Sequence, residues 1–480
     1  VSTKKLNPFI WNAFEQFGSQ AINLILGLIM LKYLTPSDYG FFVIPFLVYN
    51  LLKTCQDLGS HELIFRKPDF DSKLLQQVLG FTMIISILII ITSLILPPDF
   101  FKLFSTSYKT DKLYINFLVP LLLLTGVSLS YEYYCRKTLK FHLTAVSNLF
   151  ATLLSGLFGI YFAKNNFGTD SLLYKQIAYV ALYIFILLTL TKVKFFPDFK
   201  IKIIWKERNF YLPLFTSQIL AFSSRNLDNL LIGKYLGIEK LGVYDRAYKF
   251  LSIPISQIGN TFHRVVLPIL SGNSSDRVKM LNIYLKFLYL ISLILFPFLT
   301  ISAILAEDIV NLIFGSSWVE AIPIIQIFSI AACYQSIGGL NYSIILIDNK
   351  TIYFKNLMIF FNILYLIIFL CFTICVPDLN LLVLCYSAAT LFFNIYIFRI
   401  ASKFFHISLF KIFNHISDII INCFIIVLIL LILKNYIQID SINYLIIIYS
   451  IAYTIYIILQ FAMNGKKVKE TIKYFLESNF

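Results

Sequence analysis

Charge is scarce in this chain. Of 480 residues only 14% are Asp, Glu, Lys or Arg, while 59% are hydrophobic. Soluble domains carry roughly 25% charge, and one water-soluble core does not grow to this length without splitting into domains. Acidic residues are the scarcer kind, 25 against 40 basic, leaving a net charge of +15. The basic residues are scattered between apolar runs instead of gathered on one domain, which argues against a nucleic-acid partner. The seven cysteines form no CxxC. Cys371 and Cys375, one helical turn apart, read as packing. No Walker motif, Ser/His/Asp set or metal-ligand spacing is present, and no outer loop clusters His, Asp or Glu, so no enzyme site is legible. The opening VSTKKLNPFIWNAF has no cleavage-site pattern, and the apolar run after it is long enough to span. It is read as a retained helix.

What is present is long apolar runs. They predict an all-α polytopic membrane protein with helical spans near 11–34, 39–58, 74–96, 113–133, 141–163, 171–191, 210–234, 240–264, 281–305, 321–346, 352–376, 379–401, 415–434 and 442–463. Fourteen spans of about 20 residues use most of the hydrophobic residues. Turn-forming stretches such as TPSD (35–38), NNFGTD (165–170) and GNSSD (272–276) fill the gaps. Lys and Arg in the tails and even-numbered connections, with those at the adjacent span ends, number 28; the other side holds 9. The short loops make the positive-inside rule applicable, placing both termini in the cytoplasm. The basic segment 192–209 is then an inner loop, with anionic lipid as its natural neighbour.

A repeat crosses that loop. LKYLTPSDYGFF (31–42) aligns with GKYLGIEKLGVY (233–244) at an offset of 202, with Lys32, Tyr33, Leu34 and Gly40 recurring as Lys234, Tyr235, Leu236 and Gly242. Six spans separate the copies, and an even number preserves direction, so the repeat is parallel. The expected organisation is a first lobe over residues 1–200, a second over 201–405, and a helix pair with a basic tail over 406–480. The two six-helix lobes would flank a central cleft.

The polar residues inside the spans mark that cleft. An intramembrane charge costs at least about 2.5–3.5 kcal/mol and faces protein or water. Span 7 presents Gln218, Arg225, Asp228 and Asn229 near one face, and span 1 presents Glu15 and Asn23. Span 2 offers Lys53 and Asp57; span 8 offers Arg246, Lys249, Gln257 and Asn260. Arg225, Arg246, Lys249 and Lys53 are expected to bind an anion, Arg through its planar fork and Lys as a point charge. Asp228, Glu15 and Asp57 are the candidates for ion coupling, with a proton or sodium gradient as the driving force and no cofactor. Asn23, Gln218, Asn229, Gln257 and Asn260 complete the polar lining. The plainer readings are an Arg225–Asp228 pair that neutralises itself, Arg246 and Lys249 in an outer loop, and Lys53 snorkelling. Glu15 and His61 read as interfacial.

LTPSDYGFFVI and RNLDNLLIGKYLGIEKLGVYDRAYKFLSIPISQI resemble the signature regions of Wzx-type polysaccharide-repeat flippases, the second being similar to the WzxC-like branch of the MOP superfamily. The resemblance implies a bacterial inner-membrane protein that moves an undecaprenyl-diphosphate-linked oligosaccharide from cytoplasm to periplasm for surface polysaccharide such as O-antigen. It implies a monomer whose partners are that lipid-linked substrate, membrane lipids, and polysaccharide polymerase and chain-length machinery. A MATE-like exporter shares the superfamily but calls for an acidic or aromatic cleft. A membrane polymerase or ligase calls for a sizeable outer domain.

Overall fold

The computed structural model describes residues 8–66, 70–95, 117–200, 202–272, 276–348, 351–437 and 439–477. Among them are fourteen long helices: α1 (Pro8–Leu31), α2 (Pro36–Asp57), α3 (Ser72–Ile95), α4 (Leu121–Lys137), α5 (Phe141–Lys164), α6 (Thr169–Thr191), α7 (Arg208–Tyr235), α8 (Ile238–Gly272), α9 (Arg277–Ile304), α10 (Ala321–Gly338), α11 (Thr351–Ile374), α12 (Leu379–Phe404), α13 (Ser417–Lys434) and α14 (Ile442–Glu477). Ten helices are long and apolar enough to cross a membrane. The expected spans 2, 4, 7 and 8 fall on α2, α4, α7 and α8, whose polar and charged residues or shorter described length set them apart. The expected outer loop at 97–112 lies outside the described residues. By internal packing the chain divides into two compact units, Val1–Gly242 and Val243–Phe480.

The motif LTPSDYG has a local physical meaning. Thr35 is the N-cap of α2. Its hydroxyl accepts from the Asp38 N–H at 3.3 Å, and Asp38 accepts from the Thr35 N–H at 2.9 Å, closing a capping box with Pro36 in the first turn. Asp38 also accepts from the Thr169 hydroxyl at 3.2 Å, tying the start of α2 to that of α6. In the second copy Gly237 (φ +96°) replaces Thr35 and reaches the left-handed region that a side chain resists.

Gly40 explains the rest of the motif. A Cβ there would lie 1.9 Å from the carbonyl oxygen of Ile238, and a Cβ on Gly242 would lie 1.9 Å from that of Pro36. Pro36 and Ile238 are equivalent positions of the repeat, as are Gly40 and Gly242. Each copy therefore presses its glycine onto the other's helix start in the same way. Both segments lie within the first unit, where α2 also packs along α7.

In the second unit, α10 stops at Gly338, whose missing side chain admits Asn394 of α12; a Cβ would sit 1.8 Å from the Asn394 oxygen. Leu340–Ile347 continues as a separate helix. α14 bends at Asn464 (φ −140°, ψ 42°), separating its apolar stretch from the basic GKKVKETIKYFLE. α13 and α14 are fastened to α9 by a buried network. Tyr289 donates to Asp418 at 2.7 Å, Gln460 reaches the Tyr289 hydroxyl at 2.6 Å and Asp418 at 2.5 Å, and Asn422 donates to Gln460 at 2.6 Å. Lys467 stands 3.4 Å from Asp418.

Gly40→Val and Gly242→Val should each destabilise the protein by about 1–3 kcal/mol or more, because a backbone oxygen cannot move aside as a side chain can. Thermal unfolding in detergent measures this. Gly27→Ala is the control, since nothing lies within 4 Å of its Cβ position, and it should leave the melting temperature unchanged or raised.

Candidate functional site

In the first unit the polar residues of α1, α2, α4, α5 and α6 form linked networks. Glu15 of α1 accepts from Asn148 at 3.1 Å and from Thr144 at 3.2 Å, both on α5. Tyr179 of α6 donates to Asn148 at 3.1 Å. Glu15 is thus a half-buried carboxylate bound by neutral donors. On α4, Glu132 pairs with Arg136, and Tyr183 of α6 points its hydroxyl at Glu132 from 3.5 Å.

α2 supplies the second network. Gln56 is fully buried and ties three segments together: its amide donates to Ser86 at 2.9 Å and to the Leu122 carbonyl at 2.7 Å, and its oxygen accepts from Thr125 at 3.2 Å. Lys53 lies half-buried one turn before Asp57 and feels the charges of Glu132 and Asp57. After Asp57 the chain turns through Leu58 (φ +50°) and Gly59 (φ +73°) into a short 3-10 turn, Ser60–Glu62. That turn carries His61 in against α4. Its side chain is fully buried. Nδ1 contacts the Asp57 carboxylate, the backbone N–H donates to the same oxygen at 3.3 Å, and Nε2 is 3.1 Å from the Ser130 hydroxyl. The ring leans on Tyr133, which donates to Glu62 at 3.1 Å.

α7 carries Gln218, Asp228 and Asn229 half-buried and Arg225 exposed. Asp228 accepts from the Asn229 N–H at 2.8 Å, and no salt bridge joins it to Arg225 among the described residues. The self-neutralising pair suggested by their spacing does not form, because the Arg225 side chain is turned outward. Asn229 keeps a buried side-chain oxygen without a hydrogen-bond partner. Asn23 is exposed on α1.

In the second unit Arg246 and Lys249 converge on a residue outside the expected set. Asp245 is 3% exposed. Arg246 reaches it through Nε at 2.9 Å and Nη2 at 2.5 Å, and Lys249 through Nζ at 2.7 Å. The two cations therefore share one buried carboxylate. Both belong to α8, not to an outer loop. Gln257 is half-buried on the same helix; the side chain of Asn260 lies outside the described residues.

Sequence reasoning missed Ser130 and Gln56, gave Asp245 no role, and read His61 as interfacial. Adjacency to Arg246 is a usable signal for Asp245. Gln56 and His61 acquire their roles from partners more than 60 residues away.

Comparison with known proteins adds a family. The family described as "Polysaccharide biosynthesis protein" matches residues 29–323, more than half of the chain. The chain belongs to this family. It is 23% identical over 301 residues to the teichuronic acid biosynthesis protein TuaB of Bacillus subtilis, an alignment covering 61% of each chain. It is 26% identical over 126 residues, 26% of each chain, to the lipopolysaccharide biosynthesis protein WzxC of Escherichia coli K12. The lipid II flippase MurJ, in an inward closed conformation, superposes with a TM-score of 0.73 at 14% identity, over 96% of this chain and all of that one. The two chains share one fold.

Asp245→Ala should cost about 1.5–3 kcal/mol, since it removes the buried carboxylate that both Arg246 and Lys249 contact. Lys249→Ala should cost far less, because its side chain is 44% exposed. Thermal melts of the two variants test this ordering.

Proposed function

We propose that this protein is a flippase: it carries undecaprenyl-diphosphate-linked oligosaccharide repeat units across the bacterial inner membrane by alternating access, supplying surface polysaccharide synthesis. The observation that carries the reading is membership of a polysaccharide biosynthesis family in a chain whose fold matches a lipid flippase over nearly its whole length. The charge distribution supports it. A diphosphate head group crossing bare hydrocarbon would meet a prohibitive desolvation cost. Exposed Arg225 on α7, half-buried Lys53 on α2, and Arg246 and Lys249 on α8 are cations that can stand in for water around that anion. The protein moves its substrate without making or breaking a bond. The excess of Lys and Arg on one side, 28 against 9, supports a cytoplasmic position for both termini. Polymerase and chain-length proteins would take the product on the outer face.

Arg225→Ala should abolish surface polysaccharide at unchanged protein abundance, and Arg225→Lys should restore it only in part, because the planar fork is lost. Polysaccharide gels of a deletion strain carrying each variant, with membrane immunoblots, give the readout. Normal export by Arg225→Ala would remove this residue from the substrate path. Raised drug susceptibility in the deletion strain, with polysaccharide intact, would favour a MATE-like exporter. Orientation is checked by single cysteines: Asn166 and Ser316 should label from outside and Lys194 should not, and the reverse pattern would invert the transport direction.

A further inference from the structure

Residues 193–200, between α6 and α7, form a strap bound to the first unit. Phe195 packs against Tyr131 and Tyr134 of α4, with ring centroids 5.2 Å from each, and its N–H donates to the Tyr131 hydroxyl at 3.0 Å. Further on, the Asp198 N–H donates to the Gln76 carbonyl of α3 at 2.9 Å, and the Gln77 amide donates to the Asp198 carboxylate at 3.2 Å. Gly80 makes room for this crossing: a Cβ there would lie 2.3 Å from the Asp198 carbonyl oxygen. These contacts fix how deep the strap lies. α3 has 24 residues, about 36 Å of helix, only about 6 Å more than the hydrocarbon core of a bilayer. Gln76 and Gly80 stand about 6 and 12 Å in from its first residue. The strap therefore crosses α3 at the boundary between head groups and acyl chains, not in open water.

The outer face of the strap suits such a boundary. Phe196 is 71% exposed and Phe199 56%. Ile204, fully buried, holds down the short helix Lys202–Lys206, which turns Trp205 outward at 60% exposure. Lys194, Lys200 and Lys206 are exposed among these rings, and Arg208 lies 5.6 Å from the Trp205 ring. In water, outward-turned rings of this size would be apolar surface with nothing to cover it. At the head-group level they meet acyl chains, while lysines on flexible stems reach the phosphates. A zwitterionic lipid carries its own cation beside its phosphate, so the lysines favour lipids that lack one. We propose that the strap at 194–200 and the short helix after it form a binding site for anionic phospholipid. Phe196, Phe199 and Trp205 lie against its acyl chains, and Lys194, Lys200 and Lys206 hold its phosphate. The site goes beyond the flippase reading and does not depend on what the protein transports. A soluble protein partner fits less well, because the rings sit at a depth that the bilayer itself fills.

The test follows Trp205 in full-length protein reconstituted into bilayers, with Trp11→Phe and Trp318→Phe leaving it as the single tryptophan. Lipids brominated on their acyl chains should quench its fluorescence strongly, and acrylamide in the water should quench it little. In mixed bilayers where phosphatidylglycerol is brominated and phosphatidylcholine is not, quenching should report a local share of phosphatidylglycerol above its share of the bilayer. Lys194→Gln/Lys200→Gln/Lys206→Gln should bring the local share down to the bulk value, each lysine accounting for about fivefold in relative affinity. Native mass spectra of the chain with all its tryptophans, released from the same mixed bilayers, repeat the comparison should Trp318→Phe disturb folding. The unaltered strap should retain phosphatidylglycerol, and the lysine variant should lose it. Strong acrylamide quenching with none from brominated chains would place the strap in water, facing a soluble partner, and overturn the site. Equal quenching by either lipid, unchanged by the lysine substitutions, would leave a plain apolar contact and overturn the binding of anionic lipid.

Discussion

Two glycines set the geometry on which the first unit depends. Gly40 and Gly242 let the starts of α2 and α8 approach until each Cβ position overlaps the other's backbone carbonyl. No other residue fits, and the contact is reciprocal, Gly40 on Ile238 and Gly242 on Pro36. This approach fixes where α2 begins, and the Thr35–Asp38 capping box fixes the direction in which it leaves. One face of α2 is then committed to α7 and the other turns toward α3, α4 and α6. Lys53, Gln56 and Asp57, near the far end of the same helix, are delivered to their partners by that placement.

Charge in this setting is affordable only when shared. Water screens and solvates a surface carboxylate; a membrane helix must supply the same service with named groups. Glu15 is met by two neutral donors on α5. Asp245 is met by two cations on its own helix. Asp418 is met by Tyr289, Gln460 and Lys467 from two other helices. The first arrangement leaves a carboxylate whose charge is only hydrogen-bonded. The second shares one carboxylate between two cations of a single helix, and the third fastens helices together. A single rule of satisfaction thus yields three outcomes, depending on whether the partners are neutral, charged and local, or distributed.

The sequence made the helices legible because span length and apolar composition are local properties. It made the repeat legible because Gly40 and Gly242 keep their spacing from a shared KYL. It could not show what those glycines touch, since the contact joins positions about two hundred residues apart. The same holds for the site. Lys53, Asp57, Arg246 and Lys249 stood out as charges in apolar surroundings, but their meaning comes from neighbours. His61 looked interfacial because it follows the end of a span. A left-handed turn at Leu58 and Gly59 carries it back against α4, where Ser130 and Tyr133 enclose it. Periodicity does not encode such a reversal. Asp245 was hidden for another reason: adjacent side chains on a helix normally diverge, yet Arg246 is long enough to fold back onto it.

Asp57 differs from the other carboxylates in what surrounds it. Lys53 stands one turn before it on the same helix, and His61 meets it from the other side through both its ring and its backbone N–H. The Asp57 side chain is 16% exposed while that of His61 is fully enclosed, so the carboxylate is the part of the pair that keeps contact with its surroundings. Burial gives these contacts their weight: a polar group that lost its partner here would have no water to replace it.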